Sequence, residues 1–235
     1  MTTKLIIFDF DGTLGDTRRN IVTTMQMTIA ELQLPTRSED ECASTIGLPL
    51  AGCFKALFPD LQTDMFQCCA DTYRRIFDKN LRSIKPQPFP QVVETLSTLK
   101  KKGYILAIAS SRSNVSLVEL VRDMGISDCF SLLIGANEVE NAKPNPEPVL
   151  KTIASINRQC CESMLEENHI EKENASIKAS QTLVVGDMVV DILMGANAGA
   201  RTCGVTWGNG TREELQQAGA DYLIDSMEDL LEIVS

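Results

Sequence analysis

The stretch Lys4-Leu-Ile-Ile-Phe-Asp-Phe-Asp-Gly-Thr-Leu14 decides how the rest of this chain is read. Its apolar residues, Leu5 to Phe8 and then Phe10, are too continuous for a strand with one wet face, so they predict a strand buried on both faces. That strand runs directly into two carboxylates, Asp9 and Asp11, followed by a glycine. A period of two puts both acids on one side of the chain. There they repel each other unless a divalent cation lies beside them or one of them holds a proton. Either condition implies chemistry at the strand's end, because a purely structural pair rarely caps so apolar a strand.

Outward from this stretch, strand-like segments recur at 104–110, 130–134, 182–186, 201–205 and 221–224. Helical patterns separate most of them. Val92, Val93, Leu96 and Leu99 share one helical face, as do Val149, Leu150, Ile153 and Ile156. Thr211 with Glu214, and Ser226 with Asp229, have the spacing of capping boxes. Alternating strand and helix predicts an α/β fold with a doubly wound parallel sheet that binds ligands at the strands' carboxyl ends.

Residues 16–82 break the alternation. Ile21, Met25, Ile29 and Leu32 fall on one helical face, and Met65, Cys69, Tyr73 and Ile76 repeat the pattern. We therefore expect a small helical domain, 16–82, inserted into a core domain made of 1–15 and 83–235. Pro86, Pro88 and Pro90 stiffen the return linker, and a helical unit hinged beside the acidic strand end is placed to act as a lid. A second, polar excursion runs from 159 to 180 and carries Glu162, Glu166, Glu167, Glu171 and Glu173. It reads as exposed and at most partly helical.

Composition narrows the function. The chain has 235 residues, 43% hydrophobic and 23% charged, as in ordinary globular proteins. No apolar run reaches the roughly 18 residues of a membrane span. The first residues lack the pattern of a secretory signal. A net charge of −10 argues against nucleic acid and anionic membranes as partners, and it means that a phosphate ligand needs local cationic help. The eight cysteines include two adjacent pairs and no zinc-type spacing, so free thiols in a reducing cytoplasm are expected. The single histidine, His169, sits in the acidic excursion and reads as solvated, which argues against serine–histidine catalysis and histidine-bound zinc.

Three further signals fall at predicted strand ends. The apolar run 105–109 ends in Ser110-Ser111-Arg112, where a hydroxyl and free amides can hold phosphate oxygens. Lys143 lies in Ala-Lys-Pro-Asn-Pro-Glu-Pro, whose alternating prolines fix the backbone around one cation. The strand 182–185 ends in Gly186-Asp187-Met-Val-Val-Asp191, with both acids on one side once the next helix begins. With Asp9 and Asp11 these make an acidic cluster of hard oxygen ligands, which suits magnesium.

Together these segments resemble the haloacid dehalogenase superfamily of phosphohydrolases. Asp9 to Thr13 matches its Asp-x-Asp-Gly-Thr motif, Ser110 its hydroxyl motif, Lys143 its lysine, and Gly186 to Asp191 its Gly-Asp-x-x-x-Asp motif. The helical insert resembles the family's first cap type. The stretches Thr45-Ile-Gly-Leu-Pro-Leu50 and Gly204-Val-Thr-Trp-Gly208 are similar to those of phosphoglycolate phosphatases. The resemblance implies Asp9 as nucleophile and Asp11 as general acid and base. It implies Mg²⁺ held by Asp9, the Asp11 carbonyl and Asp187, with Asp191 in support. Ser110 and Lys143, with Gly12, Thr13 and Ser111, would hold the transferring oxygens, and Arg112 would contact substrate. The implied activity is a magnesium-dependent phosphatase of a small phosphorylated metabolite, with phosphoglycolate the best single guess. Pyrophosphate, sugar phosphates and nucleoside monophosphates stay open. A phosphosugar mutase is the close alternative, but such mutases usually carry a cap histidine where this chain has Ile21. A non-catalytic binding protein is a third reading. Arg18 and Arg19 meet an anionic substrate from the cap base or are simply solvated. Gly47 lets backbone approach the site, Leu48 and Leu50 read as packing, and a monomer or a homodimer fits equally.

Overall fold

In a computed structural model that describes residues 3–166 and 176–234, the chain opens with β1 (Leu5–Phe8) and β2 (Gly15–Asp16). Four helices follow: α1 (Arg18–Glu31), α2 (Glu39–Ala43), α3 (Leu50–Leu57) and α4 (Thr63–Asn80). Then come β3 (Gln87–Pro88), α5 (Val92–Lys101), β4 (Ile105–Ala109), α6 (Asn114–Asp123), β5 (Leu132–Ile134), α7 (Glu147–Glu166) and β6 (Thr182–Gly186). The chain ends with α8 (Val189–Asn197), β7 (Arg201–Val205), α9 (Arg212–Gln217), β8 (Tyr222–Ile224) and α10 (Leu230–Ile233).

Six strands form one parallel sheet in the order β5-β4-β1-β6-β7-β8, the doubly wound arrangement expected from the alternation. Strand β1 is buried at every position, and its side chains divide between the two faces. Ile6 and Phe8 join the core that includes Leu96, Leu120 and the helical insert, while Leu5 and Ile7 join Val149, Ile153 and Val184 on the other side. Each such buried side chain contributes about 1.5–3 kcal/mol, which is why so apolar a strand lies mid-sheet. The register aligns Phe8 with Ile108 of β4 and with Val185 of β6, so the residues just past these three strands emerge side by side.

Helices α1–α4 lie between β2 and β3. Ile21, Met25 and Ile29 of α1, and Cys69, Tyr73, Ile76 and Phe77 of α4, are buried where the helices meet. Inside this contact, Asn80 Nδ2 donates to Thr24 Oγ1 at 3.0 Å. Strands β2 and β3 pair antiparallel, Gly15 with Pro88 and Asp16 with Gln87, and tie the two ends of the insert together. Two residues per strand are too few to show periodicity, so this ribbon is invisible in sequence.

Two expected core positions are not core. Val93 and Leu150 stand 38% and 48% exposed, while Val92, Leu96, Leu99 and Val149 are buried. Each lies next in sequence to a buried valine, about 100° further round its helix, and the sheet covers a stripe too narrow to include both. Thr211 caps α9 with Glu214 as expected, while the Ser226–Asp229 box opens only a short 3₁₀ turn ahead of α10. The first part of the 159–180 excursion is the end of α7, and residues 167–175, with His169, lie outside the described residues. All eight cysteines are free thiols, four of them buried. Among the described residues, no helix is long and apolar enough to cross a membrane.

Candidate active site

Asp9 follows β1 directly and is held there by its own amide, which donates to the Val185 carbonyl at 2.8 Å. Its buried carboxylate accepts from Lys143 Nζ at 2.5 Å, and the same ammonium donates to Asp191 Oδ1 at 2.7 Å. Burial, the largest influence, drives the Asp9 carboxyl well above the ordinary range; Lys143 opposes it, and Asp191, Asp187 and Asp11 push it further up. Burial also works against the Lys143 charge, but Asp191 and Asp9 outweigh it and hold the ammonium above its ordinary value. Loop 140–147 carries this lysine, and Glu147 ties the loop by accepting from the amides of Glu140 and Asn141, both at 2.8 Å. The sequence gives no sign of that role.

Asp187, just past β6, is fully buried. Its carboxylate accepts from Thr13 Oγ1 at 3.0 Å, from the Asn209 amide at 2.7 Å and from Asn209 Nδ2 at 3.0 Å. Burial and then Asp191 push its carboxyl up to about 7, with the Asn209 and Thr13 hydrogen bonds working against them. Thr13, expected on the phosphate, thus spends its hydroxyl on Asp187. Gly12 has φ +90, and a Cβ there would sit 2.2 Å from Asp187 Oδ2, so only glycine permits this approach. Asn209 escaped sequence reasoning. Its only signal is the glycines around it: a Cβ at Gly208 would lie 2.2 Å from Asp187 Cβ, and one at Gly210 would lie 2.3 Å from the Asp187 carbonyl.

Asp11 turns away from this cluster. One of its oxygens accepts from Arg112 Nε at 2.9 Å and from the terminal NH2 at 2.7 Å. β1 ends at Phe8, so both acids lie in the loop beyond it, and both face the same cavity. Arg112, expected on substrate, is committed to Asp11, and its guanidinium also lies 4.9 Å from the centre of the Phe77 ring on α4. Asp11 more than offsets the burial that would weaken the Arg112 charge. Ser110 is buried, and its hydroxyl accepts from the Arg112 amide at 3.2 Å. Ser111 donates to the Gly47 carbonyl at 2.7 Å, a direct tie between the sheet's end and the helical insert. Arg18 pairs with Asp40 at the surface. Arg19 is exposed, and neither arginine lines the cavity over Asp9.

That cavity, about 610 Å³, is floored by Asp9, Asp11 and Arg112 and roofed by the insert. Ile21, Met25, Ile46, Leu48, Leu50 and Phe77 form the roof.

Asp9, Asp187 and Asp191 each bring a carboxylate oxygen within 4.8 Å of the others. Three buried acids against one lysine leave negative charge uncompensated, and hard oxygen donors at this spacing suit a small dication. The donor set therefore fits a metal of that kind.

A parallel α/β sheet that gathers carboxylates, a buried lysine and a serine beyond its strand ends suits the hydrolysis of phosphate esters. The chain belongs to the haloacid dehalogenase-like hydrolase family, whose sequence profile matches residues 6–205. It is 31% identical over 229 residues to "Probable phosphatase IndB" of Dickeya dadantii, covering 97% of this chain and 91% of that protein. It is 29% identical to pyrophosphatase PpaX of Halalkalibacterium halodurans, covering 100% and 98%. A phosphoglycolate phosphatase of Aquifex aeolicus is 28% identical, with 98% and 96% covered. Among solved structures, a haloacid dehalogenase-like hydrolase from Bacteroides fragilis superposes with a TM-score of 0.85 at 27% identity, covering 97% of this chain and 100% of that one.

Proposed function

We propose that the protein is a magnesium-dependent phosphatase that hydrolyses a small phosphorylated metabolite through an aspartyl-phosphate on Asp9. The observation that carries this reading is Lys143, buried between Asp9 and Asp191 at 2.5 and 2.7 Å, with Asp187 alongside. An Asp9 oxygen attacks phosphorus while the bond to the leaving oxygen breaks, and Asp11 gives that oxygen a proton. Water then attacks the phosphorus, Asp11 takes the water's proton, and Asp9 leaves as a carboxylate. Asp9, Asp187 and the Asp11 carbonyl would hold the magnesium ion, with Asp191 supporting them; when bound, it neutralises charge and polarises the phosphoryl oxygens. Ser110, Lys143 and the amides near Gly12 and Ser111 hold the transferring oxygens. Arg112 fixes where the Asp11 carboxylate stands.

The units 1–15 with 83–235 and 16–82 act as core and cap. The β2–β3 ribbon serves as the hinge between them, and the Ser111–Gly47 hydrogen bond as a latch. Phosphoglycolate is the first substrate to try, as the sequence resemblance and the relatives of that name suggest, with pyrophosphate second. Ile21, buried and lining the cavity, has no proton to exchange, which disfavours the mutase reading. Asp9→Asn should lose at least about 10⁴-fold in kcat against a panel of phosphate esters while still folding, as circular dichroism would read. Full activity in that variant, with deamidation excluded by mass spectrometry, would overturn the mechanism.

A further inference from the structure

The cavity over Asp9 is roomier and more apolar than phosphoglycolate or pyrophosphate requires. At about 610 Å³ it falls within the roughly 300–1,000 Å³ of pockets that hold drug-sized ligands. A two-carbon acid or a second phosphate would leave most of it unfilled. The chemistry of the lining points the same way. Its cations are Arg74 and Arg112. Arg112 is committed to Asp11 at 2.7 Å, and Arg74 is paired with Asp71 at 2.8 Å on the exposed side of α4. Besides Asp9 and Asp11, two exposed acids, Asp78 and Glu119, stand at its mouth. A carboxylate or phosphate on the leaving group would therefore be desolvated against an apolar roof, with Arg112 spent on Asp11 and Arg74 out at the exposed rim.

Resting on the phosphatase reading above, we infer that the leaving group is a neutral, mainly apolar alcohol. In this reading the preferred substrate is a phosphate monoester of a medium-chain alkyl or arylalkyl alcohol. The phosphoryl end meets Asp9, and the hydrocarbon extends beneath Met25, Leu48 and Leu50 and past Val115 of α6. Hydrolysis is balanced as for any monoester: the P–O bond to the alcohol breaks, the alcohol oxygen takes the Asp11 proton, and water supplies the oxygen of the released phosphate. The polar groups at the rim (Gln67, Ser116 and Asn137) offer a hydroxyl-bearing chain a few hydrogen bonds without requiring charge.

The test is kcat/KM of the full chain with magnesium for primary n-alkyl phosphates from ethyl to octyl, beside phosphoglycolate and pyrophosphate. Primary alkyl leaving groups have nearly constant acidity, so the series isolates burial from chemistry. The proposal expects kcat/KM to rise about threefold to fourfold per added methylene until the cavity is full, the fold-change equal to about 0.8 kcal/mol per CH₂. The longer esters should pass both phosphoglycolate and pyrophosphate. Ala51→Trp, at an exposed lining position, should flatten that slope. A flat or falling series, a preference for phosphoglycolate or pyrophosphate, or an unchanged slope in the Ala51 variant would overturn the inference while the phosphatase reading stands. p-Nitrophenyl phosphate, whose activated leaving group needs little recognition, serves as the control. If neither it nor any other ester is hydrolysed, the phosphatase reading falls, and this inference falls with it.

Discussion

Beneath the cavity, Asp9, Lys143, Asp187 and Asp191 form a buried, polar floor in which each side chain is held by at least one named partner. Above it, α1, α3 and α4 present an apolar roof with few fixed polar contacts. The floor is drawn from the tips of β1 and β6, the start of α8 and the tied loop 140–147, so small shifts are resisted by hydrogen bonds and core packing. The roof belongs to a separate run of helices joined to the floor by a two-residue ribbon, a serine hydrogen bond and the Arg112–Phe77 contact. The contrast assigns chemistry to the floor and choice of substrate to the roof. Changes below should cost turnover, and changes above should move KM.

The sharpest way to break that division is Lys143→Met. It leaves Asp9 and Asp191 buried without their cation, a loss of about 3–5 kcal/mol in stability without magnesium, and it should lower kcat about 10²–10³-fold. Thermal melts with and without magnesium, read beside kcat, check both numbers. A variant with normal kcat would detach the lysine from the chemistry. Gly12→Ala comes next. Its methyl would meet Asp187 in a backbone conformation at φ +90, so the apparent magnesium affinity should fall about tenfold to a hundredfold, measured by titrating activity with metal. On the roof, Leu48→Ala should raise KM about threefold to tenfold and leave kcat within about threefold. A large loss of kcat there would blur the division between floor and roof.

The smallest effect belongs to Glu147, which fixes the lysine's loop from the surface. Hydrogen bonds from the Glu140 amide and from Asn141 hold its folded carboxyl below the ordinary 4.5. Its contribution is therefore present above about pH 4.5 and fades as pH falls through the lower folded value. Glu147→Gln should melt slightly below wild type at neutral pH, and the gap should close in acid. A gap that widened on acidification would contradict the assignment.

The floor is largely legible in the sequence because Asp9 and Asp187 sit where an apolar strand turns polar, Asp191 follows in the next helix, and prolines flank Lys143. Ser110 is marked by the same change from strand to turn, and the structure brings Asp9, Lys143, Asp187 and Asp191 together. What stayed hidden is non-local or shares its pattern with something else. The Arg112–Asp11 pair joins residues 101 apart in sequence, and Asn209 reaches Asp187 across 22. No local periodicity records either contact. Leu48 and Leu50 read as packing, and they do pack against the core, but they also line the cavity. An apolar side chain facing a cavity has the same helical spacing as one facing a core. The ribbon of β2 and β3 was too short to leave a period, and the exposed Val93 and Leu150 show how coarse a face defined by spacing is.

A crystal structure of the protein with magnesium and beryllium trifluoride, which mimics a phosphoryl group on a carboxylate, tests the central claim most directly. We predict beryllium joined to the Asp9 carboxylate and magnesium about 2.0–2.1 Å from oxygens of both Asp9 and Asp187. Beryllium on Asp11 or Asp187, or a magnesium ion that leaves Asp9 out of its coordination, would contradict it.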